Sequence, residues 1–313
     1  MPRKIIIDTD PGQDDAVAIL LALANPKEIE VLGIVAVAGN VPLALTHNNA
    51  RKVLELAGCP TIPVFAGCSR PLMRTAISAG HVHGTTGLDG PTLPEPQMPV
   101  QAKHGVDYLI DAIREAPARE ITICVLGPMT NIAMALIKAP DIAERVAEIV
   151  LMGGAYFEGG NITPSAEFNF FCDPEAAAVV LSSAVPITIV PLDVTHQFLI
   201  THSRLQGIRD IDRRCASAVG EMLGFSERFD LSKYGWEGAP LHDPCVIAYL
   251  LRPSAFSGRK INVSVETSGN LTLGMTVADW WGVTGRPANA LYLRNIDSDT
   301  VYNLIVEGLR KLR

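Results

Sequence analysis

Residues 5–15 read Ile-Ile-Ile-Asp-Thr-Asp-Pro-Gly-Gln-Asp-Asp. Three consecutive Ile leave no polar face, so they belong to a strand buried on both sides, as the strands of a parallel sheet are. Asp8, Asp10, Asp14 and Asp15 follow at once, and residues 16–23 continue as an apolar helix. Pro11-Gly12 makes the turn between them, because Pro fixes its own φ and Gly tolerates a φ that other residues resist. Carboxylates just past a buried strand stand where open α/β sheets bind ligands. So many negative charges in one turn repel each other and raise their pKa values unless a cation is near. Hard cations such as Ca²⁺ or Mg²⁺ prefer such oxygen ligands. A plainer role for Asp14 and Asp15 is to face the helix dipole. That role accounts for one carboxylate better than for the cluster.

The same alternation continues for two hundred residues. Apolar runs at 30–38, 61–65, 121–126, 148–152 and 187–191 read as strands, with helical patterns at 41–57, 106–115, 131–138 and 174–183 between them. Repeated strand–helix–strand units imply right-handed crossovers and a mainly parallel sheet covered on both faces. Further on, the spacing predicts a helix over 202–229, a turn-rich stretch at 234–243 and an apolar helix from Pro244. A hairpin of 262–266 and 271–277 around Ser268-Gly269-Asn270 follows, then a strand at 290–293 and an amphipathic helix over 298–310. There is no internal repeat and no linker, and one large α/β domain spanning 1–313 is the expected organisation.

Composition narrows the function. A hydrophobic fraction of 48% with 19% charged residues supports a substantial core and argues against disorder. The net charge of −7, without any Lys/Arg-rich run, disfavours nucleic acid and anionic membranes as partners. Six Cys without a C-x-x-C read as reduced, mostly buried thiols rather than a zinc site or disulfide framework. No leader pattern and no apolar run of roughly 18 residues is present, so the expected location is the cytoplasm.

Polar residues recur immediately after the strands: Asp10, Asn40, Gly127 to Asn131, and Gly153 onward. In a parallel sheet these converge on one edge. Two long irregular stretches follow elements of the same core, and long loops in a compact domain are usually functional or disordered. The first, 78–100, carries His81, His83 and Asp89; the second, 153–172, carries Asn161, Glu167 and Asn169 among Phe157, Phe168, Phe170 and Phe171. An acid and two amides suit a polyhydroxylated ligand. Late in the chain, His242-Asp243 before Pro244 pairs a group that titrates near neutrality with a possible metal ligand. Simpler roles exist for several of these: Asn40 as a turn residue, Asn131 as a helix cap, Met152 as core.

Six motifs in chain order carry a family resemblance: D-T-D-P-G-x-D-D at 8–15, H-G-x-x-G-L-D-G at 83–90, G-P-x-T-N-I-A at 127–133, M-G-G-A at 152–155, N-x-x-x-x-x-E-x-N at 161–169 and P-L-H-D-P at 240–244. Together they resemble the inosine–uridine-preferring nucleoside hydrolases from about residue 3 to the C-terminal helix. The resemblance implies a single three-layer α/β domain with a mixed, mostly parallel, Rossmann-like sheet, one tightly bound Ca²⁺, and a homotetramer or dimer. It implies Ca²⁺ ligation by the carboxylates of Asp10, Asp15 and Asp243 and the backbone carbonyl of Leu126. Asp14, Asn40, Asn161, Glu167 and Asn169 would bind ribose hydroxyls, with Met152 lining the sugar pocket. Asp10 would be the general base, His242 would protonate the departing base, and His83 would lie in the loop that closes over it. Two His at 83 and 242 resemble the branch acting on pyrimidine nucleosides or on both types. Phe225, Ser226, Phe229, Tyr234 and Trp236 are candidates for the nucleobase pocket.

The expected reaction is therefore Ca²⁺-dependent hydrolysis of the N-glycosidic bond of ribonucleosides, giving free base and ribose. Two other readings compete. Asp8-x-Asp10 resembles the start of a haloacid-dehalogenase-type phosphatase, though no later Lys followed by paired Asp completes that pattern. A non-catalytic nucleoside-binding protein on the same scaffold is the other, and the presence of every acid, base and metal residue counts against it.

Overall fold

The computed structural model describes residues 1–312. Twelve strands are formed: β1 (Arg3–Thr9), β2 (Ile29–Ala36), β3 (Val64–Ala66), β4 (Ile121–Val125), β5 (Glu148–Met152), β6 (Ile187–Val190), β7 (Leu199–Thr201), β8 (Gly238–Pro240), β9 (Phe256–Ile261), β10 (Val263–Val265), β11 (Thr276–Ala278) and β12 (Ala290–Ile296). Eight of them make the central sheet, in the order β3-β2-β1-β4-β5-β6-β12-β9. Only β9, antiparallel to β12, breaks the parallel arrangement. The expected α/β class is the observed one.

Ile5, Ile6 and Ile7 show why the opening run had to be central. All three are fully buried. Successive strand residues point to opposite faces, so Ile5 and Ile7 enter one apolar core and Ile6 the other. The first core packs helices Gln13–Leu23, Leu43–Leu56, Pro244–Leu251 and Ser298–Lys311 against the sheet; the second packs Gly105–Glu115, Thr130–Lys138 and Pro174–Leu181.

Strand order reverses at β1: β2 and β3 lie to one side, β4, β5 and β6 to the other. Such a switch point opens a crevice beyond the carboxyl ends of the strands. It lies at the ends of β1 and β4, next to Asp10 and Leu126.

Elsewhere the chain departs from the sequence expectation. The helix expected over 202–229 is two helices, His202–Arg209 and Arg214–Tyr234, the second ending at Gly235 in the left-handed conformation (φ 65°). The hairpin is shorter, with Val263–Val265 pairing Thr276–Ala278. Strand β9 (FSGRKI) went unread because only its two ends are buried, leaving no alternation to see. The 234–243 stretch contains β8, paired to β7. Asn131, readable as a cap, is instead a fully buried tie: its Nδ2 donates to Asp8 Oδ2 (2.8 Å) and the Ala36 carbonyl (3.2 Å), and its Oδ1 accepts from Cys68 N (2.7 Å). Cys124, Cys172, Cys215 and Cys245 are buried. Among the described residues no helix is long and apolar enough to cross a membrane.

Candidate active site

The crevice is built upward from β1. Asp10 is 1% exposed, and its Oδ2 accepts the Asn40 backbone N–H (2.7 Å). Gly39 and Gly127 flank the carboxylate so tightly that a Cβ on either would strike it. Both glycines after strands are thus explained by close packing on one acid. One turn on, Asp15 Oδ2 accepts from Gly12 N (2.9 Å) and its Oδ1 from the Thr9 hydroxyl. The helix-capping role of Asp15 is therefore real, and the carboxylate serves the cluster as well.

Asp14, Asp15 and Asp243 each offer an oxygen within 4.8 Å of the others. Asp243 is 3% exposed although it comes more than two hundred residues later, delivered by the start of helix Pro244–Leu251. Burial and the neighbouring carboxylates push the Asp10, Asp15 and Asp243 pKa values up, and burial pushes Asp14 up to about 6. A buried set of carboxylates that repel each other ionises fully only beside a cation. All-oxygen donors of this type match a hard divalent ion. The residues present fit a metal.

Around the cluster stands a second layer. Asn40 Nδ2 donates to Asp15 Oδ2 (3.3 Å) and to the Asp10 carbonyl (3.2 Å). Glu167 caps helix Phe168–Cys172: its Oε1 accepts Asn169 N (2.8 Å), and its Oε2 accepts Gly154 N (2.9 Å) and Phe170 N (3.2 Å). Burial still pushes Glu167 up to about 7 against those bonds. Asn169 Nδ2 donates to the carbonyls of Leu126 (2.7 Å) and Met152 (3.2 Å), which welds the ends of β4 and β5 together. Asn161 Oδ1 accepts Phe168 N (2.9 Å).

One cleft collects nearly all of these residues. It is lined by Asp14, Asn40, His83, Leu126, Met152, Asn161, Glu167, Asn169, His242 and Asp243. Asp10 and Asp15 lie beneath its floor. The opposite wall comes from helix Arg214–Tyr234, through Ser226, Phe229, Asp230, Lys233 and Tyr234. Of the five pocket candidates, Ser226, Phe229 and Tyr234 line the cleft. Trp236 stands behind, stacked on Tyr234 at 4.3 Å, and Phe225 turns outward beneath Arg228.

His242 lines the cleft with its Nδ1 2.7 Å from the Thr195 hydroxyl. Burial, with the nearby His196 and His83, pulls its pKa down to about 3. Its imidazole is thus neutral at neutral pH rather than an imidazolium. His196 packs against Trp236 (4.9 Å) and His242 (5.9 Å between centroids). Thr195 and His196 were missed in the sequence although they follow β6, so the rule of polar residues after strands applied there too. Asp230, Lys233 and Gln13 carried no signal: the first two lie mid-pattern in a helix, and Gln13 fills the open position of its motif.

Residues 5–303 match the family model described as inosine-uridine preferring nucleoside hydrolase. The chain belongs to that family. It is accordingly a ribonucleoside hydrolase, a glycosidase acting on N-glycosyl bonds. The pyrimidine-specific ribonucleoside hydrolase RihA of Shewanella sp. strain ANA-3 is 46% identical over 99% of this chain and 96% of its own. An uncharacterized protein of Schizosaccharomyces pombe is 50% identical over 99% of both chains. Among solved structures, a purine-preferring ribonucleoside hydrolase from Gardnerella vaginalis superposes with a TM-score of 0.92 at 30% identity, covering 98% of each chain. Membership in a nucleoside hydrolase family displaces the phosphatase reading of Asp8-x-Asp10, and Asp8 indeed lies within β1, bonded to Asn131.

Proposed function

We propose that the protein hydrolyses pyrimidine ribonucleosides, or uridine and inosine alike, with a Ca²⁺ held in the acidic cluster. The observation that carries this reading is the cluster of Asp14, Asp15 and Asp243 gathered at the sheet's switch point, in a cleft that two histidines also line. Asp10, Asp15 and Asp243 with the Leu126 carbonyl are the proposed ligands, and the Asp10 Oδ1 and one lone pair of that carbonyl are left for the purpose. Asp14, half-buried at the cleft edge, is the member of the cluster turned toward sugar. Bound there, the ion supplies Lewis acidity toward water and hydroxyls.

The chain's own residues do the rest. Cleaving an N-glycosidic bond builds positive charge on the ribose ring. Asp14 and Glu167 set negative charge along that ring, which stabilises the developing cation. Asn40, Asn161 and Asn169 supply the amide donors and acceptors for sugar hydroxyls, and Met152 packs beneath. Asp10 accepts the proton of the attacking water. His242, with the Thr195 hydroxyl donating to its Nδ1, directs an Nε2–H at the departing base. His83 overlooks the same space.

The pyrimidine or broad preference is supported by the likeness to RihA and by the two histidines. A homotetramer or dimer is supported by exposed apolar residues such as Trp281 (75% exposed) and Val283 (85%). The buried thiols favour a reducing compartment, the cytoplasm. Incubation with uridine, cytidine and inosine, with and without chelator, should release ribose only where the ion is present. No ribose from any of the three with Ca²⁺ restored sinks the proposal.

A further inference from the structure

Gln13 lies between the turn at Gly12 and the acidic pair, where the opening motif makes no demand. It is nonetheless 1% exposed, and it reaches out of its own helix to the 80–90 segment. Its Nε2 donates to two backbone carbonyls, those of His83 (3.0 Å) and Asp89 (3.1 Å). Its Oε1 lies 2.6 Å from His83 Nδ1.

These three contacts leave no freedom in the assignment. Carbonyl oxygens only accept, so the amide must turn its NH₂ toward them. Oε1 then faces His83, and an amide oxygen only accepts, so Nδ1 must carry a proton. Burial holds the His83 pKa down to about 4, against the opposing pull of the Asp15 carboxylate. The ring is therefore neutral, and a neutral imidazole protonated at Nδ1 has a bare Nε2. His83 lines the cleft, and Gly12 gives its ring the room to do so, since a Cβ there would meet Nδ1 and Cε1. Asn49 steadies the same segment, donating to the Thr86 carbonyl at 2.8 Å.

We propose that Gln13 is a positioning residue that locks His83 in the Nδ1-protonated tautomer, making Nε2 a hydrogen-bond acceptor in the cleft for a hydroxyl or N–H of the bound substrate. His83 then complements the Nε2–H donor proposed above for His242. The substrate half of this inference rests on the nucleoside reading; the tautomer does not.

Long-range ¹H–¹⁵N correlation spectra of the histidine-labelled, full-length protein test it, with His83→Ala assigning the signal. His83 should appear as the Nδ1–H form, and Gln13→Met should lose that single tautomer. Ribose release should fall roughly tenfold in kcat/KM for Gln13→Met, yet less than twofold when the same change is made on His83→Ala, because the two act as one unit. Adding free ribose or free uracil distinguishes the donor: the Nε2 resonance shifts with whichever supplies it. An Nε2–H or doubly protonated His83 in the wild type overturns the proposal, whether or not Gln13→Met folds. Additive effects of the two substitutions overturn it as well. A wild type that is inert toward every nucleoside overturns the functional reading while leaving the tautomer to stand on its spectrum.

Discussion

The floor of the cleft and its far wall are made in different ways. On the floor, three carboxylates are fixed by backbone amides: Asn40 N on Asp10, Gly12 N on Asp15, three amides on Glu167. The wall is the last turns of helix Arg214–Tyr234, where Tyr234 and Trp236 stack and His81 meets Phe229 edge-on at 5.2 Å. Asp230 on that wall has no hydrogen-bond or ion-pair partner among the described residues, and burial followed by the Asp14 charge pushes it up to about 7. The proposed function places chemistry common to all ribonucleosides on this hydrogen-bonded floor. It leaves choice among bases to a wall whose aromatic side chains pack mainly on one another.

Substitutions should separate the two. The largest effect falls on the floor: Asp15→Asn should lower kcat for every nucleoside by about a thousandfold or more, read as ribose release. A loss confined to one base would break the division. His242→Ala bridges the two regions. Its loss should be about a hundredfold for uridine, in line with removal of a hydrogen-bond donor to charge developing on the departing base. Turnover of p-nitrophenyl riboside, whose leaving group needs no proton, should barely change; equal losses would remove His242 from the base side.

How much of this was legible in the sequence follows the same line. The floor was, because Ile5–Asp15 compresses strand, turn and acids into eleven residues, and glycines after strands mark the close approaches to Asp10. The wall was legible only in part: Ser226, Phe229 and Tyr234 were among the candidates, but Phe225 and Phe229 stand at helical spacing and nothing local says which of them lines the cleft. Phe225 turns out and Phe229 turns in. Gln13 was illegible for another reason: its partners, the His83 and Asp89 carbonyls, belong to backbone some seventy residues away. Likewise, β9 has an exposed middle and left no period to detect.

Beneath the floor, Asn131→Ala should destabilise the protein by about 2–3 kcal/mol, since it strands the buried Asp8 carboxyl and the half-buried Cys68 N–H. Chemical denaturation checks this, and kcat of the folded fraction should change little. The smallest effect belongs to the wall. Asp230 has a folded pKa above its unfolded one, so its contribution to stability is whole at low pH and is lost as pH rises through about 7. Asp230→Asn removes that loss. Its advantage in thermal midpoint should grow between about pH 4 and pH 7 and then level off, at roughly a degree or two given partial solvent screening. An advantage that shrinks with rising pH would mean Asp230 is paired.

The claim on which the rest depends is that the carboxylate floor holds a cation. Calorimetric titration of Ca²⁺ into chelator-stripped protein tests it directly. The account predicts one ion per chain, with protons released on binding because the carboxylates are held above their usual pKa values, and ribose release recovering in step with occupancy. Full ribose release from the stripped protein, with no heat on titration, would contradict it.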